Sequence, residues 1–329
     1  MQLRVLSTAD VVHALPMAEA IAGVKDAFRQ LSTGQADVPL RPRLAVPAHD
    51  GVSLFMPAYL SETDDLGIKV VSVFNNNPAR GLPLIFAAVL VLDSETGRPT
   101  ALLEGGSLTA IRTGAASGAA TDVLARPDAS TAAVFGAGVQ GRTQLEAVCT
   151  VRPIRRAWIY DAVPGRAEAM AAEVAGRGPI PQDVRVAATP HEAVAEADVV
   201  CTATTSNTPV FDGRDLRPGT HVNGVGSFTP TMQEIDVETV KRALVVVDSR
   251  NSALVEAGDL ILPLRAGLIP EAHIHAELGE ILAGLKPGRA NPEQITFFKA
   301  CGVAVQDAAA ARRALDNAER LNLGTTVEL

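Results

Sequence analysis

The sequence is poor in cysteine, in aromatic residues and in positive charge. Its 329 residues include three cysteines and 4% aromatic residues, and 29 basic against 37 acidic residues give a net charge of −8. Three widely spaced cysteines fit neither a disulfide framework nor the paired spacing of a zinc site. An acidic surface repels phosphate groups, so we expect no nucleic-acid partner and no membrane partner.

Long apolar runs are also missing. The longest, residues 82–92, contains Pro83 and is far shorter than the ~20 residues that span a bilayer. The first ten residues lack the charged-then-apolar pattern of a signal peptide. Together with the low cysteine content, these features predict a reduced, cytoplasmic protein. We also expect no metal site, because His273 and His275 are spaced two apart and do not share one helix face.

Alanine, valine and glycine are plentiful, and 47% of the residues are apolar. This composition favours buried parallel strands covered by closely packed helices. Residues 17–31 show the apolar period of a helix, and short strands are predicted at 52–56, 67–74 and 84–92. Because strands and helices do not alternate in this part, we expect residues 1 to about 115 to form a mixed α+β unit.

From residue 131 onward, strands and helices alternate. Strands are predicted at 131–135, 157–161, 184–187, 199–203, 221–225 and 244–247. This alternation is typical of a Rossmann-type, doubly wound parallel sheet, and the fold class is therefore α/β. The last helix, predicted over 303–321, should pack against the first unit. We expect two domains, 1–115 plus 303–329 and 116–302.

The strongest motif is the loop Gly136-Ala137-Gly138-Val139-Gln140-Gly141. It follows a predicted strand and opens a predicted helix, which is the context that gives G-x-G-x-x-G its meaning. The first glycine permits a tight turn, the second lets the backbone approach a pyrophosphate, and the third lets helix and strand pack closely. The free N–H groups and positive dipole end of the helix favour that phosphate. The loop predicts a dinucleotide site.

Asp161 lies 20 positions after Gly141 (161 − 141), at the predicted end of the next strand. A carboxylate there accepts hydrogen bonds from the adenine ribose and repels a 2′-phosphate, which favours NAD(H). Arg166 is placed to pair with such a phosphate or with Asp161, so NADP(H) stays open. Thr202, Ala203 and Thr204 follow a strand and are candidates for the crevice lining, with a plain strand cap as the alternative.

Three further segments extend the pattern: residues 108–116, 225–230 and 276–281. With the glycine loop, they resemble the ornithine cyclodeaminase/mu-crystallin family over essentially the whole chain. That family includes cyclodeaminases, an alanine dehydrogenase, ketimine reductases, pyrroline-2-carboxylate reductases and a thyroid-hormone-binding crystallin. The resemblance implies an NAD(P)-binding Rossmann domain, here 116–302. It also implies a substrate-binding and dimerisation domain that receives the C-terminal helix, here 1–115 plus 303–329, and a homodimer.

The resemblance also implies site residues. Arg43, Met56, Lys69 and Arg112 match the family's substrate positions, with Lys69 and Arg112 as catalytic candidates. Cofactor contacts match Thr113, Ala137, Gly138, Val139, Gln140, Asp161, Thr202, Ala203, Thr204 and Val225. An arginine fork suits a substrate carboxylate, and a lysine within an apolar strand is costly unless it faces a polar cleft. The alternatives are an edge-strand lysine at position 69 and a helix-surface charge at position 112.

Phe228 and Met232 depart from the cyclodeaminases, which carry an aspartate and a lysine at the matching positions. Phe228 cannot move a proton, whereas reduction of a preformed imine needs no such carboxylate. We therefore favour NAD(P)H-dependent reduction of a cyclic imine carboxylate, Δ1-pyrroline-2-carboxylate or its six-membered homologue, to proline or pipecolate. The alternatives are a cyclodeaminating ammonia-lyase, an alanine dehydrogenase and a non-catalytic protein that binds the cofactor.

Overall fold

A computed structural model describes residues 1–39 and 41–329. The first part of the chain forms the strands β1 (Gln2–Leu6), β2 (Ala36–Asp37), β3 (Arg43–Val46), β4 (Gly51–Leu60), β5 (Asp65–Phe74), β6 (Ile85–Leu92) and β7 (Pro99–Glu104). Its helices are α1 (Thr8–Ala14), α2 (Met17–Ser32) and α3 (Gly105–Leu124). The helix and strands predicted here are confirmed to within a few residues, but α3 was not predicted as a 20-residue helix.

The following residues alternate as expected. The strands are β8 (Thr131–Phe135), β9 (Arg156–Tyr160), β10 (Val184–Val186), β11 (Val199–Thr202), β12 (His221–Gly224), β13 (Leu244–Val247), β14 (Ile274–Glu277) and β15 (Thr296–Lys299). The helices are α4 (Val139–Val151), α5 (Arg166–Val174), α6 (Pro190–Val194), α7 (Val237–Arg242), α8 (Arg250–Glu256), α9 (Gly258–Arg265) and α10 (Leu278–Leu282). The chain ends with α11 (Ala304–Leu321) and β16 (Thr325–Glu328).

The chain packs into two compact units, Met1–Arg112 with Val303–Leu329, and Thr113–Gly302. In the first unit the sheet order is β16-β1-β7-β6-β5-β4-β2, with β3 also paired to β4. β1 and β7 run parallel and the other pairs run antiparallel, so this unit is mixed α+β as expected. The last helix α11 packs against α2, β4 and β5 of the same unit, which confirms its predicted position.

In the second unit the strand order is β10-β9-β8-β11-β12-β15-β13-β14, and every pair runs parallel. Alternate β8 residues enter different core clusters, Ala133 and Phe135 in one, Ala132 and Val134 in the other. Because successive side chains point to opposite faces, the sheet is buried on both sides. The chain has the doubly wound α/β fold, although β14 at the edge of the sheet and β15 within it were not predicted.

Within residues 1–39 and 41–329, no helix is both long and apolar enough to cross a membrane. Over the same residues, no group of three or more His, Cys, Asp or Glu side chains is arranged to hold a metal ion.

Candidate active site

The glycine loop connects β8 to α4, and its three glycines have different surroundings. Gly136 has a φ of +98°, and a Cβ there would lie 2.5 Å from the Ala203 carbonyl oxygen. A Cβ at Gly141 would lie 2.0 Å from the Gly136 carbonyl oxygen, whereas a Cβ at Gly138 would meet nothing within 4 Å. The first and third glycines are therefore required by the turn itself. The second leaves open space where a pyrophosphate can approach the backbone, so the loop fits a dinucleotide.

Asp161 lies one residue beyond β9 and holds the glycine loop from the side. Its Oδ2 accepts the Ala137 N–H at 2.8 Å, and its Oδ1 accepts the Val163 N–H at 2.8 Å. These bonds fix the carboxylate and leave lone pairs for the hydroxyl groups of a ribose. Arg166 is the first residue of α5 and is exposed, so the structure leaves its role as a prediction.

Four of the predicted cofactor residues lie where β11 and β12 end: Thr202, Ala203, Thr204 and Val225. The Ala203 N–H donates to the Phe135 carbonyl oxygen at 2.8 Å, and the Val225 N–H donates to the Thr202 carbonyl oxygen at 3.0 Å. Because parallel strands end at one edge of a sheet, these residues lie at the same edge as the glycine loop.

The other cofactor candidates are less constrained. The Val139 side chain is 67% exposed, and the Gln140 Oε1 is buried without a partner. Thr113 is half-buried on α3. For these three residues, cofactor contact remains a prediction.

Lys69 lies at the middle of β5, between β4 and β6, so the edge-strand alternative is wrong. Its side chain is 2% exposed, and its Nζ lies 2.8 Å from Asp307 Oδ2. The other oxygen of the same carboxylate, Oδ1, accepts the Nε–H of Arg112 at 2.9 Å. Asp307 lies in the first turn of α11, so a carboxylate from the end of the chain joins Lys69 to Arg112.

Arg112 is 6% exposed, which contradicts the helix-surface alternative. Its Nη1 donates to Gln306 Oε1 at 2.6 Å, and the Val303 N–H donates to the same oxygen at 3.3 Å. The Nη2 of Arg112 takes part in neither the bond to Asp307 nor the bond to Gln306. The Gln306 Nε2 is buried without a partner, so this cluster holds a spare buried donor.

The cluster carries two cations and one anion. Burial and the neighbouring Arg112 and Arg41 outweigh the attraction of Asp307 and lower the pKa of Lys69 to about 8. Lys69 therefore remains mostly protonated at neutral pH, and the net charge of the cluster is positive. A buried excess of positive charge is costly unless an anion completes it. This arrangement suits a ligand with a carboxylate.

Met56 is 4% exposed and lies opposite Lys69 across β4 and β5. Its place in a pocket wall remains a prediction. Arg43 begins β3 and is exposed, so its role as a substrate residue remains a prediction. Arg41, which the sequence analysis did not select, places its Nη1 3.9 Å from the Met56 Sδ. The structure thus associates Arg41 with the two expected residues Met56 and Lys69.

Phe228 is 46% exposed, and Met232 is buried. The Ser227 hydroxyl donates to the Met232 carbonyl oxygen at 2.9 Å, which closes the loop that carries Phe228. The loop therefore carries an exposed aromatic ring at position 228.

Three residues of this site were not predicted from the sequence: Asp307, Gln306 and Arg41. The available signal was weak: Gln306 and Asp307 are polar residues within an alanine-rich helix whose neighbouring positions are apolar. A polar pair on the buried face of such a helix indicates a partner elsewhere in the fold.

Known proteins are similar to this chain over most of its length. The model of the ornithine cyclodeaminase/mu-crystallin family matches residues 1–322. The chain belongs to this family. It is 40% identical over 313 residues to a Δ1-pyrroline-2-carboxylate reductase of Bacillus cereus, and the match covers 95% of each chain.

Solved structures of the family are similar over the full length. The Δ1-pyrroline-2-carboxylate reductase of Thermococcus litoralis, in complex with NADH and L-proline, superposes with a TM-score of 0.94 at 44% identity, covering 99% of this chain and 100% of that one. An archaeal alanine dehydrogenase dimer with bound NAD gives a TM-score of 0.92 at 34% identity, covering 100% of both chains.

Proposed function

We propose that this protein reduces Δ1-pyrroline-2-carboxylate to proline with NADH. The observation that carries the proposal is the buried cluster of Lys69, Arg112 and Asp307, whose excess positive charge suits the carboxylate of an imino acid. Two relatives with 40% and 44% identity over nearly the whole chain are reductases of this imine. The six-membered homologue, which yields pipecolate, has the same carboxylate and C=N group and is the nearest alternative substrate.

The reaction adds one hydride and one proton across the C=N bond and oxidises NADH to NAD⁺. Bound NADH supplies the hydride. Asp307 and Gln306 hold the Arg112 guanidinium so that its planar fork can orient the substrate carboxylate. The Lys69 ammonium, protonated below its pKa of about 8, can keep the imine nitrogen protonated and its carbon electrophilic. Catalysis by Lys69 and Arg112, with Arg43 and Met56 at the substrate, is part of this proposal.

The second unit, which corresponds to the expected domain 116–302, would bind the cofactor through the glycine loop and Asp161. The first unit, corresponding to 1–115 plus 303–329, would bind the substrate and form the dimer. The same proposal places the protein in the cytoplasm, where free thiols such as Cys149, Cys201 and Cys301 stay reduced.

We further propose a homodimer formed by the first unit. Its exposed large apolar side chains include Leu44, Leu82, Leu84, Ile85 and Phe86, each between 37% and 59% exposed. Consecutive exposed apolar residues such as those at 84–86 mark interaction surfaces, and one relative is a dimer. Light scattering should give twice the chain mass of 34.3 kDa, and Phe86→Glu should shift the protein toward the monomer. A wild-type monomer at micromolar concentration contradicts the dimer.

The test of function follows NADH oxidation with Δ1-pyrroline-2-carboxylate, Δ1-piperideine-2-carboxylate, or pyruvate plus ammonia, and ammonia release from L-ornithine with catalytic NAD. We expect turnover of a cyclic imine and no ammonia release. Phe228→Asp should not increase imine reduction, because reduction of a preformed imine needs no carboxylate at this position. Ammonia release by the wild type, or turnover of pyruvate and ammonia without any cyclic imine, would overturn the proposal.

A further inference from the structure

Glu234 is a fully buried carboxylate that joins two separate loops of the second unit. Its Oε1 accepts the Thr204 N–H at 2.6 Å, and its Oε2 accepts the Thr202 hydroxyl at 3.1 Å. The same Oε2 accepts the N–H groups of Gly226 at 2.7 Å and Ser227 at 3.1 Å. Thr202 is the last residue of β11 and Thr204 lies in the loop that follows it, whereas Gly226 and Ser227 follow β12. One side chain therefore ties together the ends of two neighbouring strands.

A second buried carboxylate fixes Glu234 itself. Asp259 Oδ1 accepts the backbone N–H groups of Glu234 at 2.7 Å and Ile235 at 3.0 Å. The Asp259 Oδ2 lies 3.0 Å from the Nζ of Lys299, and both side chains are fully buried. Burial raises the pKa of Glu234, although the nearby Lys299 opposes the shift. A buried charge held by this many donors has one position only, because any other leaves donors unpaired.

The two loops also approach each other closely. A Cβ at Gly226 would lie 2.2 Å from the Thr204 carbonyl oxygen and 2.5 Å from Glu234 Oε1. Only glycine leaves room for this approach, so the spacing of the loops depends on both the missing side chain and the bridging carboxylate.

The sheet order decides which part of a dinucleotide these loops can meet. β10-β9-β8 lie on one side of the point where the strand order reverses, and β11-β12 lie on the other. In a doubly wound dinucleotide fold each side binds one mononucleotide. The glycine loop and Asp161 belong to the β8–β9 side and serve the adenosine half. The loops held by Glu234 belong to the other side, which receives the nicotinamide half.

We propose that Glu234 is a positioning residue that holds the nicotinamide half of the cofactor crevice and leaves the adenosine half unaffected. This inference rests on the proposed use of NADH. Glu234 acts by holding the two loops in place, and Asp259 and Lys299 hold Glu234 in turn.

The test compares Glu234→Gln and Glu234→Asp with the control Glu238→Gln, whose side chain is 44% exposed in the wild type. Dissociation constants are measured for NADH and for ADP-ribose, which lacks the nicotinamide. Both Glu234 variants should bind NADH roughly 10-fold more weakly or worse, because several charged hydrogen bonds are lost. For both Glu234 variants, the dissociation constant of ADP-ribose should stay within about twofold of the wild-type value. For the control variant, the dissociation constants of both ligands should stay within the same range. Amide hydrogen exchange should speed up at residues 202–206 and 225–229.

Glutamine keeps the length of Glu234 but loses its charge, and aspartate keeps the charge but is too short to reach both loops. Full NADH affinity in either variant overturns the bridging role, and so does an equal loss of NADH and ADP-ribose affinity. If neither variant folds, Gly226→Ala separates the same loops with Glu234 intact and should give the same selective loss. A wild-type protein that binds no NADH overturns the cofactor proposal as well, whereas normal NADH binding by Glu234→Gln overturns only the role of Glu234.

Discussion

Two fully or nearly fully buried lysines, one in each unit, differ in the balance of charge around them. Lys69 shares the single carboxylate of Asp307 with Arg112. Lys299 has Asp259 at 3.0 Å, with Glu234 also close enough to act on it. Burial opposes the charge of both lysines. In the Lys69 cluster, burial and the second cation Arg112 lower the pKa of Lys69 to about 8. At Lys299, Asp259, Cys301 and Glu234 together outweigh burial and raise the pKa of the lysine.

This difference indicates what each lysine does. The Lys299 network compensates its own cation with anions from the same unit, so it can act as a fixed support. The Lys69 cluster lacks one negative charge, which an anionic substrate can supply. A buried ion pair by itself says little about function, but the sign of the uncompensated charge distinguishes a structural network from a binding site.

The largest expected effect compares Lys299→Met with Lys69→Met. Removing Lys299 leaves two buried carboxylates without their cation, and such losses lower the free energy of unfolding by about 3–5 kcal/mol. Removing Lys69 leaves Asp307 paired with Arg112, so we expect a much smaller loss of stability together with loss of imine reduction. Guanidinium denaturation of both variants measures the difference. Equal destabilisation of the two variants would contradict the difference in charge balance inferred for the two lysines.

The second-largest effect is expected for Asp307→Asn. It removes the carboxylate shared by Lys69 and Arg112, and hydrogen bonds to charged groups are worth about 1.5–3 kcal/mol each. We expect kcat/KM for the imine to fall about 100-fold, with the dissociation constant of NADH unchanged. Asp316→Asn, on the same helix with a side chain 52% exposed, is the matched control and should behave as the wild type. Wild-type kinetics in Asp307→Asn would show that the bridge does not position the two cations.

Asp161→Ala tests the other unit. Loss of a charged acceptor should weaken NADH by about 10- to 150-fold, or roughly 1.5–3 kcal/mol. NADPH should lose less, because the carboxylate repels its 2′-phosphate. Titration of both cofactors measures the ratio, and imine KM should stay near the wild-type value. Unchanged NADH affinity would remove Asp161 from the cofactor site.

The smallest expected effect is a decline of kcat/KM at high pH. A lysine with a pKa of about 8 carries its proton below that pH and loses it above. If the ammonium form is the active one, kcat/KM for the imine should fall about tenfold per unit above pH 8. Lys69→Arg stays charged throughout, so whatever activity it retains should lack this decline. A decline at the same pH in Lys69→Arg would assign the titration to another group.

Much of the fold follows from local patterns in the sequence. The alternation after residue 131 predicts the parallel sheet, and the strand β8 is found at its predicted residues. The helix α3 escaped prediction because its apolar and small residues are spread around the helix, without the one-sided period that marks a surface helix. The strands β14 and β15 were missed because they lie beyond the regular alternation that indicated β10 to β13: two helices, α8 and α9, separate β13 from β14.

The candidate site likewise contains residues that the sequence predicts and residues that only the folded structure brings together. The glycine loop and Asp161 are recognisable from the sequence, because they lie within one strand–helix–strand unit and their spacing is set by neighbouring residues. Lys69 and Arg112 could be selected by resemblance, but nothing local connects either to Asp307, which is 195 positions from Arg112. The chain has 37 acidic residues. Nothing in the local sequence distinguishes a carboxylate that bridges two cations from a carboxylate on the surface. Only folding distinguishes them, because it removes water from the few charges that long-range packing brings together.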